Sequence, residues 1–101
     1  MSLDTLTIAN TIRDQIGVMN IMAFGVPRKS LMAMPANDER MGGLYFRFTN
    51  CPKIRHGSVT VELMPSDTYR VTIKNQLGNV KYQGDGIFCD MLFEVLDEYI
   101  G

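Results

Sequence analysis

The chain has no Trp, only two Cys and one His, and no long apolar run. Each shortage removes a class of protein. Cys51 and Cys89 are too few and too far apart for a disulfide framework, and they fit a reducing compartment. With His56 they fall short of the four ligands of a structural zinc site, so neither a metal nor a cofactor is expected. No apolar run approaches the roughly 20 residues that a membrane span needs. Met1-Ser2-Leu3-Asp4 has neither the basic region nor the apolar core of a secretory signal. An excess of charge is missing too: ten basic residues against eleven acidic ones give a net charge of −1. That excludes a global basic field of the kind that advertises nucleic acid, and it excludes an acidic tail. The expectation is a cytoplasmic protein with no membrane partner. Its 101 residues suffice for a single domain, 1–101, with its own core.

What is present is alternation. Leu44, Phe46 and Phe48 alternate with Tyr45, Arg47 and Thr49. Val59, Val61 and Leu63 alternate with Thr60, Glu62 and Met64; Tyr69, Val71 and Ile73 with Arg70, Thr72 and Lys74; Val80 and Tyr82 with Lys81 and Gln83. Period 2 predicts four strands, each with an apolar and a polar face. Parallel strands buried on both sides read as continuous apolar runs, so this pattern predicts an antiparallel sheet with one face in water. Pro65-Ser66-Asp67 and Asn75-Gln76-Leu77-Gly78-Asn79 carry the residues of short turns.

Two helices flank this meander. Ile8, Ala9, Ile12 and Ile16 form one stripe over Asp4–Gln15, with Asp4 or Ser2 as cap and Gly17 as stop. Phe88, Met91, Leu92, Val95, Leu96 and Tyr99 predict a core-facing helix over Ile87–Ile100, capped by Asp85. Cys89, Phe93 and Ile100 widen its apolar arc. The apolar run Val18–Phe24 predicts a fifth strand. Gly25–Gly43 is too long for a structureless loop, so either Ser30–Met34 is a further strand or the segment is functional. The predicted fold is α+β: an antiparallel sheet of four to six strands with an N-terminal and a C-terminal helix packed on one face.

Two surfaces bear on function. The polar sheet face gathers Tyr45, Arg47, Arg70, Lys74 and Lys81 against the single acid Glu62. Basic groups around an aromatic on a sheet are how several single-strand binders work. Four phosphate contacts at about −0.7 each would give a salt slope near −3. Solvated strand positions are also Lys, Arg and Thr for solubility alone. The second surface is the acidic side of the last helix, Asp90, Glu94, Asp97 and Glu98, and Met32, Met34 and Met41 of the central segment are a separate candidate for contact with a partner. Met suits adaptable contacts, or it fills gaps beneath a loop. Asp90/Glu94 and Glu94/Glu98 are like-charge pairs at i,i+4, which local stability does not favour. They form a solvated face or a docking face for a basic partner.

Catalytic constellations can be argued down. Cys51 and His56 suggest a Cys–His pair, but Lys53 and Arg55 disfavour a protonated imidazole and nothing nearby orients it. Gly84-Asp85-Gly86 lacks the third Gly, the Lys and the βαβ setting of a nucleotide-binding loop. The chain is expected not to be an enzyme.

Several motifs in one order add a resemblance. They are Ile8-Ala9-Asn10-Thr11-Ile12, Gln15-Ile16-Gly17, Met22-Ala23-Phe24-Gly25, Leu44-Tyr45-Phe46-Arg47-Phe48, Val59-Thr60-Val61-Glu62-Leu63, Asp67-Thr68-Tyr69 and Gly86-Ile87-Phe88 with Asp90 and Leu92. In this the chain resembles a family of small proteins of unknown function encoded by bacteriophages, prophages and plasmids. Many relatives have Tyr-Ala-Asp where this chain has Phe88-Cys89-Asp90, and their central loop differs, so Leu31–Arg40 falls outside the resemblance. The resemblance implies a bacterial cytoplasm and an accessory role for a mobile element. The leading expectation is therefore a non-enzymatic protein, monomer or homodimer, that binds a host or phage protein, with modulation of host defence as one such role. The alternative is nucleic-acid binding by the basic sheet face.

Overall fold

The computed structural model describes residues 4–49 and 51–101, and of Arg28 the backbone alone. The expected capping role of Ser2 lies outside the described residues. In order, the chain forms α1 (Thr5–Ile16), α2 (Val18–Ala23), a 3₁₀ turn (Arg28–Ser30), β1 (Met32–Met34), β2 (Gly42–Thr49) and β3 (His56–Leu63). Then follow β4 (Tyr69–Asn75), β5 (Val80–Ile87), a second 3₁₀ turn (Cys89–Met91) and α3 (Leu92–Ile100). The strands make one antiparallel meander, β1-β2-β3-β4-β5. The fold is α+β, with the terminal helices on one face of the sheet, as the alternation predicts.

The register explains the core. Phe46 lies opposite Val59 and Val59 opposite Ile73, while Leu44, Val61 and Val71 form the next row. Both rows are fully buried beneath Ile8, Ile12 and Ile16 of α1 and Leu92, Leu96 and Ile100 of α3. Gly42 shows how close α1 lies, because a Cβ there would stand 2.9 Å from Ile8 Cδ1. Asp4 occupies the N-cap position of α1 but makes no side-chain hydrogen bond there.

Three expectations are corrected. Val18–Phe24 is not a strand: α2 follows α1 directly after Gly17, whose φ of +101° ends the first helix. Asn20 Nδ2 donates to the Ile16 carbonyl, satisfying an acceptor at the end of α1. Ile21 and Phe24, three residues apart, point inward, while Met19 and Met22 are 77% and 62% exposed. A short apolar run fits a strand and a helix equally, and here the period is helical.

The second correction concerns the chain's last third. β5 continues through Gly84-Asp85-Gly86 to Ile87, so Asp85 is a strand residue and not a cap. A 3₁₀ turn containing Asp90 intervenes, and α3 begins only at Leu92. Phe88 and Met91, read as core, are exposed, and the buried stripe is Leu92, Leu96 and Ile100. Of the residues that widen the arc, Phe93 stacks on Phe24 at 6.2 Å and Ile100 is buried, whereas Cys89 is exposed in the 3₁₀ turn; Tyr99 stacks on Tyr82 at 4.1 Å. The third correction is in β5. Register shifts near both ends of the β4–β5 pairing break the simple alternation and leave Val80 exposed.

Gly25–Gly43 resolves into the 3₁₀ turn, the edge strand β1 and an ordered loop. The strand alternative for Ser30–Met34 is the one that forms, over Met32–Met34.

Ile12 is buried and Leu6 exposed on the same helix, which separates burial from composition. Ile12→Ala should cost about 2–5 kcal/mol, and Leu6→Ala should stay within about 0.5 kcal/mol, both by urea unfolding. Equal effects would contradict the placement of α1. Tyr69, buried under α1, donates from its hydroxyl to Gln15 Oε1 at 2.6 Å. Burial pushes its phenol above the ordinary value of 10.0; Cys89 and Asp67 add to this, and the Gln15 contact works the other way. A raised folded value means that stability is fully present below pH 10 and lost as pH climbs through the folded value. Tyr69→Phe should flatten this alkaline decline in urea midpoint, leaving the share due to Tyr82, which is also raised by burial. An unchanged decline would contradict the assignment.

Candidate functional site

With both terminal helices on one face, the other face of the sheet is open. One row crosses all five strands: Met32, Tyr45, Thr60, Thr72 and Gln83 lie opposite one another in turn. The rows on either side carry the charges, and they differ in kind.

On one side lie Gly43, Glu62 and Arg70. Here every charged group has a partner. Arg40 Nη1 meets Glu62 Oε2 at 3.0 Å, both side chains being only about 15% exposed. Arg40 is placed by its own loop: Asn37 Oδ1 accepts from the backbone N–H of Glu39 and of Arg40, and Arg40 Nε donates to the Pro35 carbonyl. Arg70 Nε meets Asp85 Oδ1 at 2.6 Å. This end of the face is charge-compensated.

On the other side lie Arg47, Ser58 and Lys74, and beyond them Thr49 and His56. Two adjoining depressions of about 560 and 670 Å³ open here, on either side of Tyr45, Arg47 and Thr49, which line both. His56, Ser58 and Lys74 line the first; Pro27, Lys29 and Met32 line the second. No carboxylate lines either one, and among the described residues Lys29, Arg47 and Lys74 take part in no ion pair.

The local sequence holds these groups in place. β1 is only three residues long, so beside Arg47 its place is taken by the 3₁₀ turn. Ser30 Oγ accepts from the Arg47 N–H and donates to the Pro27 carbonyl, and Thr49 Oγ1 donates to the Gly25 carbonyl. These contacts pin the turn bearing Lys29 to β2. Across the sheet, Asn75 Oδ1 accepts from the N–H groups of Leu77 and Asn79, which fixes the hairpin tip beyond Lys74.

The expected site residues divide. Of the basic set, Tyr45, Arg47 and Lys74 come together, whereas Arg70 is neutralised by Asp85. Lys81 sits in the register shift between the Ile73–Tyr82 and Lys74–Val80 pairs, apart from the row. Of the other set, Met32 is exposed beside Tyr45, Met34 is half-buried on the edge strand, and Met41 is exposed just before β2. Glu94, Asp97 and Glu98 are exposed on α3 in the opposite layer, and Asp90 precedes that helix. The methionines and the acids thus lie on separate parts of the molecule, as two candidate surfaces. The Lys53 ammonium reaches the Asp97 and Glu98 carbonyls, placing a cation at the C-terminus of α3 beside its acids. Lys29 and His56 are face residues that the sequence reading missed. His56 continues the two-residue step of Ser58 and Thr60, a signal that was there to use.

Cys51 is buried, its thiol donates to the Phe24 carbonyl at 3.2 Å, and burial pushes its pKa up, away from the thiolate that a nucleophile requires. Among the described residues no three His, Cys, Asp or Glu are grouped to hold a metal, and no helix is long and apolar enough to cross a membrane.

The two ion pairs should respond differently to loss of their Arg. Arg40→Ala leaves the half-buried Glu62 carboxylate unpaired and should cost about 1–3 kcal/mol. Arg70→Ala should have a smaller effect, because Asp85 remains solvated. Urea unfolding of both variants checks this, and a larger loss for Arg70→Ala would contradict it.

Comparison with protein-family models, with curated proteins and with solved structures returns no match for this chain.

Proposed function

We propose that this protein is a non-enzymatic binding module, an accessory protein of a bacteriophage or other mobile element, that engages an anionic partner over the open face of its sheet. One observation carries the reading. Lys29, Arg47 and Lys74 surround two adjoining depressions that no carboxylate lines, while the acids of the same face are already paired. A protein of net charge −1 that leaves these cations unpaired on one end of one face has a local field opposite to its average. Solvation alone would not separate the charges in this way, since the other end of the sheet pairs its cations within the same fold.

A second reading rests on α2. Val18, Met19 and Met22 expose apolar side chains on a six-residue helix that already buries Ile21. This is an adaptable surface on which a protein partner would sit, beside the candidate methionines Met32, Met34 and Met41 and the acids of α3.

The two readings separate in capture from bacterial lysate with tagged protein, with and without nuclease. The first expects that Arg47→Ala with Lys74→Ala abolishes recovery of the partner, while Met19→Ser with Met22→Ser leaves it intact. The opposite outcome would transfer the function to α2.

A further inference from the structure

We infer that the anionic partner is single-stranded nucleic acid, laid across the strands from the 3₁₀ turn to the β4–β5 hairpin. The inference rests on the open face being the working surface and narrows what that surface takes. The two depressions differ in chemistry. The one toward β1 is the more apolar, a slot lined by Pro27, Met32 and the aromatic Tyr45 together with Lys29, Ser30, Arg47 and Thr49. The other, past Arg47, is the more polar, lined by His56, Ser58, Lys74 and Gln76 with Tyr45 and Phe48 also on its wall. An unpaired nucleotide has the same division, an apolar ring face joined to an anionic backbone. A base fits the Met32–Tyr45 slot, its phosphate falls at Arg47, and the next phosphate reaches Lys74.

The span agrees. Lys29 stands where β1 would continue, and Lys74 is on β4, three strand spacings or about 14 Å away. Sheets that read single strands through their exposed face stack about two or three bases. A duplex is disfavoured because its bases are read by a helix or ribbon inserted into the major groove, and this site is made of depressions. An acidic protein surface would match the cations but not the apolar slot beside them.

Fluorescence anisotropy tests this with a labelled oligothymidine of about ten nucleotides, a duplex of equal length and polyglutamate. The single strand should bind at least tenfold more tightly than the duplex. Its salt slope should be about −2, from three contacts at about −0.7 each. Arg47→Ala and Lys74→Ala should each reduce the slope by about 0.7. Tyr45→Ala should weaken binding at least fivefold with the slope unchanged, and Tyr45→Phe, which keeps the ring and the fold, should restore it. Binding of polyglutamate through Arg47 and Lys74 without binding of oligothymidine would overturn the inference and leave the anionic-partner reading standing. Equal binding of duplex and single strand, or indifference to Tyr45→Ala, would also overturn it. If no polyanion binds, or if Arg47→Ala and Lys74→Ala change nothing, both fall.

Discussion

Ile8, Ala9, Ile12 and Ile16 press α1 onto the apolar side of β2, closely enough that Ile8 lies over the bare backbone of Gly42. Leu92, Leu96 and Ile100 of α3 are buried in the same core, and Tyr99 stacks on Tyr82 of β5. Each fully buried aliphatic side chain of this kind contributes about 1.5–3 kcal/mol, so this contact supplies much of what opposes chain entropy. It is one-sided. Two short helices cannot wrap a five-stranded sheet, and once they occupy one face the other must be made of residues that tolerate water. The polar alternation of β2, β3 and β4 follows from that constraint.

Water tolerance does not dictate how the charges are arranged. Glu62 is drawn into a half-buried pair by Arg40, whose loop is held by Asn37, and Arg70 is held by Asp85 across the sheet. The other end carries Lys29, Arg47 and Lys74 around Tyr45 with no acid among its lining residues. Ser30, Thr49 and Asn75 fix the backbone that carries these cations, so an anionic partner would have side chains to order but not the chain itself.

The meander was legible because three successive strands alternate cleanly and their turns carry Pro, Asp, Asn and Gly. Legibility failed where local signals were degenerate. Val18–Phe24 is too short for periodicity to choose between strand and helix, and the choice was made by Gly17 and by the burial of Ile21 and Phe24. Gly84-Asp85-Gly86 looked like the entrance to a helix because Asp before an apolar stripe is a capping signal. In the fold it is a strand, with Asp85 held by a residue fifteen positions earlier. No local rule reports that register. The candidate site shows the same division. Tyr45, Arg47 and Lys74 could be placed on one face by period 2. The neutralisation of Arg70, the displacement of Lys81 and the arrival of Lys29 all depend on which strands pair and where they slip.

The most direct measurement is a backbone amide chemical-shift map of the protein titrated with oligothymidine. The account predicts shifts confined to the open face around Tyr45, Arg47, Ser58 and Lys74 and to the turn bearing Lys29, with α3 and α2 silent. Shifts centred on Met19 and Met22, or on Glu94, Asp97 and Glu98, would contradict it.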